Sequence, residues 1–160
     1  MIRINRLTDY GIVLLTHIAS QPEDEPSNAR DLAREAHLPM PAVSKILKLL
    51  TREGLLDSQR GAKGGYRLAR RAEKITVAAI IRALEGPIGI TECTMDHEGE
   101  RVGECGNLHV CPVHGNWQEI NKVVERALES ISLRDMVRPA DACVAVPEDF
   151  LKNVTIPNAS

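Results

Sequence analysis

Residues 27–71, SNARDLAREAHLPMPAVSKILKLLTREGLLDSQRGAKGGYRLARR, constrain the fold more than any other stretch of the chain. Ser27 can cap a helix in which Ala29, Leu32, Ala33 and Ala36 form an apolar stripe at i, i+3, i+4 and i+7. His37 to Pro41 reads as a short break, its two prolines suiting a turn and the first turn of a following helix. That helix, from Pro41 to about Glu53, would bury Val43, Ile46, Leu47 and Leu50. It would leave Ser44, Lys45, Lys48 and Arg52 on its other side, and Gly54 would stop it. LLDSQR then reads as a strand, GAKGG as a glycine-rich turn and YRLARR as a second strand. Two short helices joined by a tight turn and followed by a basic hairpin are the order of a winged helix-turn-helix.

The charge distribution agrees with that reading. The net charge of −2 argues at first against a polyanionic partner. Between Ser27 and Arg71, however, ten Lys/Arg stand against four Asp/Glu, while the segments on both sides are net acidic. A basic third inside an acidic chain is the footprint of a nucleic-acid-binding face.

Around this unit the chain reads as mostly helical. With only four aromatic residues the core has to be aliphatic, which favours helices. Residues 5–20 are dense enough in Leu, Ile and Val for a mostly buried helix. Thr76 can cap a helix, VAAIIRALE, that Gly86-Pro87 terminates. Trp117 to Ser130 is amphipathic, with Trp117, Ile120, Val124, Ala127, Leu128 and Ile131 on one face. Beside a small winged-helix core this is spare apolar surface, and DNA readers of this size bind as symmetric dimers, so a long dimerisation helix is expected. Ser132 caps one more short helix, and from Pro139 onward the composition suggests a poorly ordered tail. The expected organisation is a DNA-binding domain over 1–86, a cysteine-rich loop over 87–116, a dimerisation helix region over 117–137 and a tail over 138–160. No apolar run is long enough to cross a membrane and no signal-peptide core is present, so a cytoplasmic protein is expected.

Three of the four cysteines lie between the last two helical regions in the pattern C-x11-C-x5-C-x2-H, formed by Cys93, Cys105, Cys111 and His114. Thiolates are soft ligands that select zinc, copper(I) or iron–sulfur clusters, and an imidazole completes a four-coordinate set. In a reducing compartment clustered cysteines are ligands more often than disulfides. The spacing is not that of a zinc ribbon, so a loop with free thiols stays open, as do a structural zinc and a metal-free thiol redox sensor. Cys143 falls in the tail. There is no C-x-x-C motif, no nucleotide-binding glycine loop and no catalytic constellation, which points away from an enzyme and from a small-molecule substrate.

Together RLTDYG, ARDLAREAHLP, VSKILKLLTREGLL, RGAKGGYRLAR, ITVAAIIRALEG and the cysteine triad before a long helix resemble the IscR/NsrR-like winged-helix transcription regulators, over about residues 1–137. Within that family the chain looks most like regulators of the SUF system of iron–sulfur assembly. The resemblance implies a homodimer that carries an iron–sulfur cluster in each subunit and binds double-stranded promoter DNA according to cluster state, with repression as the commoner mode. The family usually spaces its cysteines C-x5-C-x5-C, and here the first interval is six residues longer. In IscR-like members the fourth ligand is a histidine at the place of His114, which suits a 2Fe–2S cluster. In NsrR-like members it is an aspartate of the other subunit at the place of Asp9, which suits 4Fe–4S. This sequence has both; His114, and with it 2Fe–2S, is favoured because it lies within the local loop, with His97 and His109 as outside candidates. For DNA it implies Ser44, Lys45 and Lys48 at base edges or flanking phosphates, Arg52 at phosphate, and Arg60, Lys63 and Tyr66 from the wing.

Overall fold

The computed structural model describes residues 3–22, 25–61, 64–97, 100, 101 and 110–137. Its elements run α1 (Arg6–Ser20), α2 (Ala29–Glu35), α3 (Met40–Arg52), β1 (Leu56–Gln59), β2 (Gly65–Leu68), α4 (Val77–Glu85), β3 (Asp96–His97), β4 (Glu100–Arg101), α5 (His114–Ser130) and α6 (Leu133–Met136). This is the mostly helical winged helix-turn-helix that the sequence predicts.

One aliphatic core serves α1 to α4, β1 and α6. Leu14, Leu15, Val43, Ile46, Leu47, Leu50, Ile75, Ile80 and Leu133 are all fully buried in it. Burying a residue of this kind contributes roughly 1.5–3 kcal/mol, so the four from α3 anchor that helix firmly. Local signals set the ends of the elements. Thr76 caps α4 by accepting from the Ala79 N–H, and Ser132 and Asp135 form a reciprocal capping box on α6.

At α2 the cap is Asn28 and not Ser27. The Asn28 Oδ1 accepts from the N–H groups of Arg30 and Asp31. Ser27 does something else. Its N–H and carbonyl both pair with the backbone of Tyr66 at 2.9 Å, which adds a third extended segment beside the hairpin. The hairpin itself is antiparallel, with Leu56 opposite Leu68 and Ser58 opposite Tyr66. Gly65 is required there, because a Cβ would stand 2.7 Å from the Ser27 carbonyl oxygen.

After α5 the chain returns to the core. Val77 N–H donates to Ile131 O at 2.9 Å and Leu133 N–H to Ile75 O at 2.7 Å, which seats Leu133 in the interior. The expected dimerisation region therefore ends in an element of the DNA-binding core. No helix among the described residues is long and apolar enough to cross a membrane. The tail with Cys143 lies outside the described residues, as do Lys63, Cys105 and His109.

Candidate nucleic-acid interface and cysteine site

Once α3 has turned Val43, Ile46, Leu47 and Leu50 inward, residues 45, 48 and 52 must share the opposite face, three and four positions apart. Lys45, Lys48 and Arg52 are exposed, and Ser44 is half-buried beside them. Lys45 and Lys48 make no ion pair among the described residues. Arg52 Nε meets Glu53 Oε1 at 2.8 Å, both groups exposed, a contact too weak to hold the guanidinium away from a phosphate. The apolar face thus fixes the helix and the basic face is left outward.

The wing sorts its cations into two sets. Arg67 lies 3.8 Å from Asp57 on the paired strand, Arg71 3.6 Å from Glu73, and Arg70 donates to the Gly54 carbonyl at 3.5 Å. Arg60, one residue past β1, is exposed and has no ion pair among the described residues. Tyr66 is half-buried and packs against the core, so its ring joins the wing to the body of the domain.

The cysteine site is built where α4 hands over to α5. Gly86, at φ +92°, ends α4, and the chain runs through Ile88 and Ile90 to a single helical turn over Glu92–Thr94 that carries Cys93. Thr91 Oγ1 lies 3.1 Å from Cys93 Sγ, and the Thr91 and Thr94 side chains cap that turn reciprocally. A short hairpin, Asp96–His97 against Glu100–Arg101, follows. On the far side, the Cys111 carbonyl accepts from the His114 N–H at 3.4 Å.

His114 is the first residue of α5, which starts three residues before the expected position. Gly115, a poor helix former, hides that start from a propensity reading. Cys93, Cys111 and His114 are half-buried, and both thiols are free. The His114 Nδ1 is buried without a hydrogen-bond partner among the described residues. Asp9, by contrast, is exposed in the first turn of α1. No three metal-ligating side chains converge among the described residues, a set that excludes Cys105.

Two features that periodicity does not announce tie α5 to its own chain. Asn121, 7% exposed, donates to Ile88 O at 3.1 Å and accepts from Ile90 N–H at 3.0 Å. Arg82 of α4 donates to Glu125 at 2.7 Å and to Glu129 at 2.8 Å. These hydrogen bonds push the pKa of its guanidinium up further. Little in the sequence signals this, since Lys122 and Arg126 stand three positions before Glu125 and Glu129 on the same helix. Meanwhile Val113, Trp117 and Ile120 are exposed at 46, 36 and 45%. Val124, Ala127, Leu128 and Ile131 of the expected apolar face are half-buried, so the apolar surface left open lies at the N-terminal end of the helix.

A basic recognition helix, a hairpin wing and a separate pair of thiols beside a long helix define a winged-helix DNA-binding regulator. The sequence profile of the Rrf2 family, described as an iron-dependent transcriptional regulator, matches residues 4–139. The chain belongs to the Rrf2 family. It is 32% identical to protein rrf2 of Nitratidesulfovibrio vulgaris over 84% of this chain and 86% of that one. Among solved structures it is similar to CymR, the global cysteine regulator of B. subtilis, with a TM-score of 0.65, 29% identity and coverage of 86% of this chain and 97% of that one. It is likewise similar to IscR of T. potens, with a TM-score of 0.64, 27% identity and coverage of 85% and 86%. The protein is a transcriptional regulator and not an enzyme, as the description of the family and the relatives named HTH-type transcriptional regulators have it.

Proposed function

We propose that this regulator is a cytoplasmic homodimer that represses iron–sulfur assembly genes of the SUF type, its affinity for promoter DNA being set by an iron–sulfur cluster. The cluster is held by Cys93, Cys105, Cys111 and His114, and is of the 2Fe–2S type. The observation that carries the reading is the His114 ring. A buried imidazole nitrogen without a partner among the described residues is costly, and ligation of a metal at this ring would remove the cost. His114 stands three residues after Cys111 on one turn, and Cys93 waits half-buried at the other end of the loop that contains Cys105. Three sulfurs and one nitrogen suit a soft centre.

When bound, the cluster supplies a charged, redox-labile anchor. The chain's own residues do the rest. Thr91 Oγ1 stands within hydrogen-bond reach of the Cys93 sulfur. His114, as the first residue of α5, joins the site to the long helix. Val113, Trp117 and Ile120 are the surface on which a second copy would sit, and two copies of α3 would then enter successive major-groove segments. Lys45, Lys48 and Ser44 meet bases or phosphates, Arg52 meets phosphate, and Arg60 and Lys63 reach from a wing that Tyr66 secures. Promoter DNA selects the dimer geometry whose recognition helices match its half-sites, and the cluster biases the same equilibrium.

Asp9 of a partner subunit is the alternative fourth ligand, with a 4Fe–4S cluster. A structural zinc or a thiol redox sensor is the second reading, favoured by the two free thiols and by the likeness to a cysteine regulator. Anaerobic purification with visible spectroscopy and iron and sulfide analysis separates them. A coloured protein with two irons per chain, losing its cluster in His114→Ala, is expected. Four irons lost in Asp9→Ala instead would move the fourth ligand to Asp9. A colourless protein with one zinc would sink the iron–sulfur reading and leave the DNA-binding one standing.

A further inference from the structure

The segment that leads from α4 to Cys93 is gripped by a single side chain. Asn121 is the one buried residue of α5 among those described, and it spends both ends of its carboxamide on the backbone of that segment. A carboxamide presents a donor and an acceptor side by side, so it reads a peptide much as a neighbouring strand would. Three residues after Ile90, Cys93 is enclosed by the reciprocal caps of Thr91 and Thr94, with the Thr91 hydroxyl on its sulfur. The stretch from Ile88 to Thr94 is therefore held at its start by α5 and at its end by its own turn. Along α5, Asn121, Glu125 and Glu129 recur every fourth residue and form one stripe. The two glutamates grip Arg82 of α4. One polar stripe thus touches both the peptide that carries Cys93 and a helix packed in the DNA-binding core.

We propose that Asn121 is the positioning residue that couples the state of the Cys93 site to α5. The inference rests on the reading that Cys93 binds a metal or cluster. At 7% exposure the amide has little water to fall back on. If occupancy at Cys93 shifts the 88–94 peptide, the amide must either be left unpaired in the interior, which is costly, or carry α5 with it. Asn121 also acts before any metal arrives, because both of its bonds are made by the chain alone.

Amide hydrogen exchange on the full-length wild type, Asn121→Leu and Asn121→Asp tests this. In metal-free protein the Ile90 amide should exchange roughly five- to tenfold faster in N121L, the loss of one partly buried hydrogen bond. Loading with Zn2+ alone, or anaerobically with iron and sulfide, should slow exchange around Cys93 in every variant. It should slow exchange along α5 in the wild type but not in N121L. N121D keeps the acceptor for Ile90 but sets a carboxylate oxygen against the Ile88 carbonyl, so it should retain Ile90 protection with a weakened α5 response. It carries the test should N121L not fold. A merely structural Asn121 would lower the melting temperature and leave the α5 response to loading intact, and that result would overturn the proposal. So would unchanged Ile90 exchange in N121L. A wild type that takes up neither probe sinks the cysteine-site reading and this inference with it. Uptake without an α5 response sinks this inference alone.

Discussion

α3 and α5 are both amphipathic, and they use the property in opposite senses. α3 buries Val43, Ile46, Leu47 and Leu50 completely inside its own chain and presents Lys45, Lys48 and Arg52 outward. α5 gives its own chain Asn121, Glu125 and Glu129 and leaves Trp117 and Ile120 at 36 and 45% exposure. An apolar stripe in a sequence states only that a face has to be covered. Whether the cover comes from the same chain depends on where the core already closes. Here Leu133 of α6 is fully buried in that core, whereas the one buried residue of α5 is Asn121.

Substitutions at matched positions break this comparison most severely. Leu47→Ala removes a fully buried side chain and should cost about 2–5 kcal/mol, much of the stability of a small domain. The loss, read by denaturant titration of the monomer, should persist at every protein concentration. Ile120→Asp should leave the fold of each chain within roughly 0.5 kcal/mol of the wild type, because the site is exposed. In sedimentation it should convert the proposed dimer to monomer at micromolar concentration. A dimer that survives Ile120→Asp would mean that α5 is not the seam and that its outward apolar face serves another purpose.

A smaller effect sharpens the other half of the comparison. If the outward face of α3 meets the phosphate backbone, Lys48→Ala should weaken binding to specific and non-specific duplexes by similar factors. The slope of log affinity against log salt should fall by about 1. A variant that instead loses discrimination between duplexes at constant slope would move Lys48 from phosphate to base. No change in either would remove it from the interface.

Much of this was legible from periodicity. The apolar positions of α3, the Thr76 and Ser132 caps, the wing and the helix after the cysteines are local patterns, and the structure forms them locally. What stayed hidden was set by contacts far apart in the chain. The pairing of Ser27 with Tyr66 is a bridge of one residue, too short to carry an alternation. Asn28 and Ser27 are equally good caps on paper, and it is that bridge which engages Ser27. Periodicity does not single out Asn121, whose partners lie over thirty residues upstream. Of the cysteine site, the sequence shows the ligand types and their order. The proposed convergence of Cys93, Cys105 and Cys111 cannot be read from spacing, because a loop that closes around a metal does so by coordination and not by side-chain packing.

The smallest effect lies in the turn between α2 and α3. Both helices end in the same geometry. Leu38 N–H reaches back to Ala33 O at 2.9 Å and His37 N–H to Arg34 O at 3.3 Å, just as Leu55 reaches Leu50 at 2.9 Å and Gly54 reaches Thr51 at 3.1 Å. In each case a leucine after the left-handed residue packs into the core or against it, the apolar contact that accompanies this motif. The left-handed residue is Gly54 in one, at φ +68°, and His37 in the other, at φ +53°. A side chain with a Cβ makes that conformation costly by roughly 1–2 kcal/mol, part of which glycine gives back through its freer unfolded state. His37→Gly should therefore stabilise the protein by about 0.5–1 kcal/mol, a few degrees in melting temperature. Gly54→Ala should destabilise it by a similar amount. If both hold, the two halves of the helix-turn-helix are set by one local rule, independently of α5 and of any second subunit. A lower melting temperature in His37→Gly would instead mean that the exposed imidazole has a stabilising partner that outweighs its backbone strain.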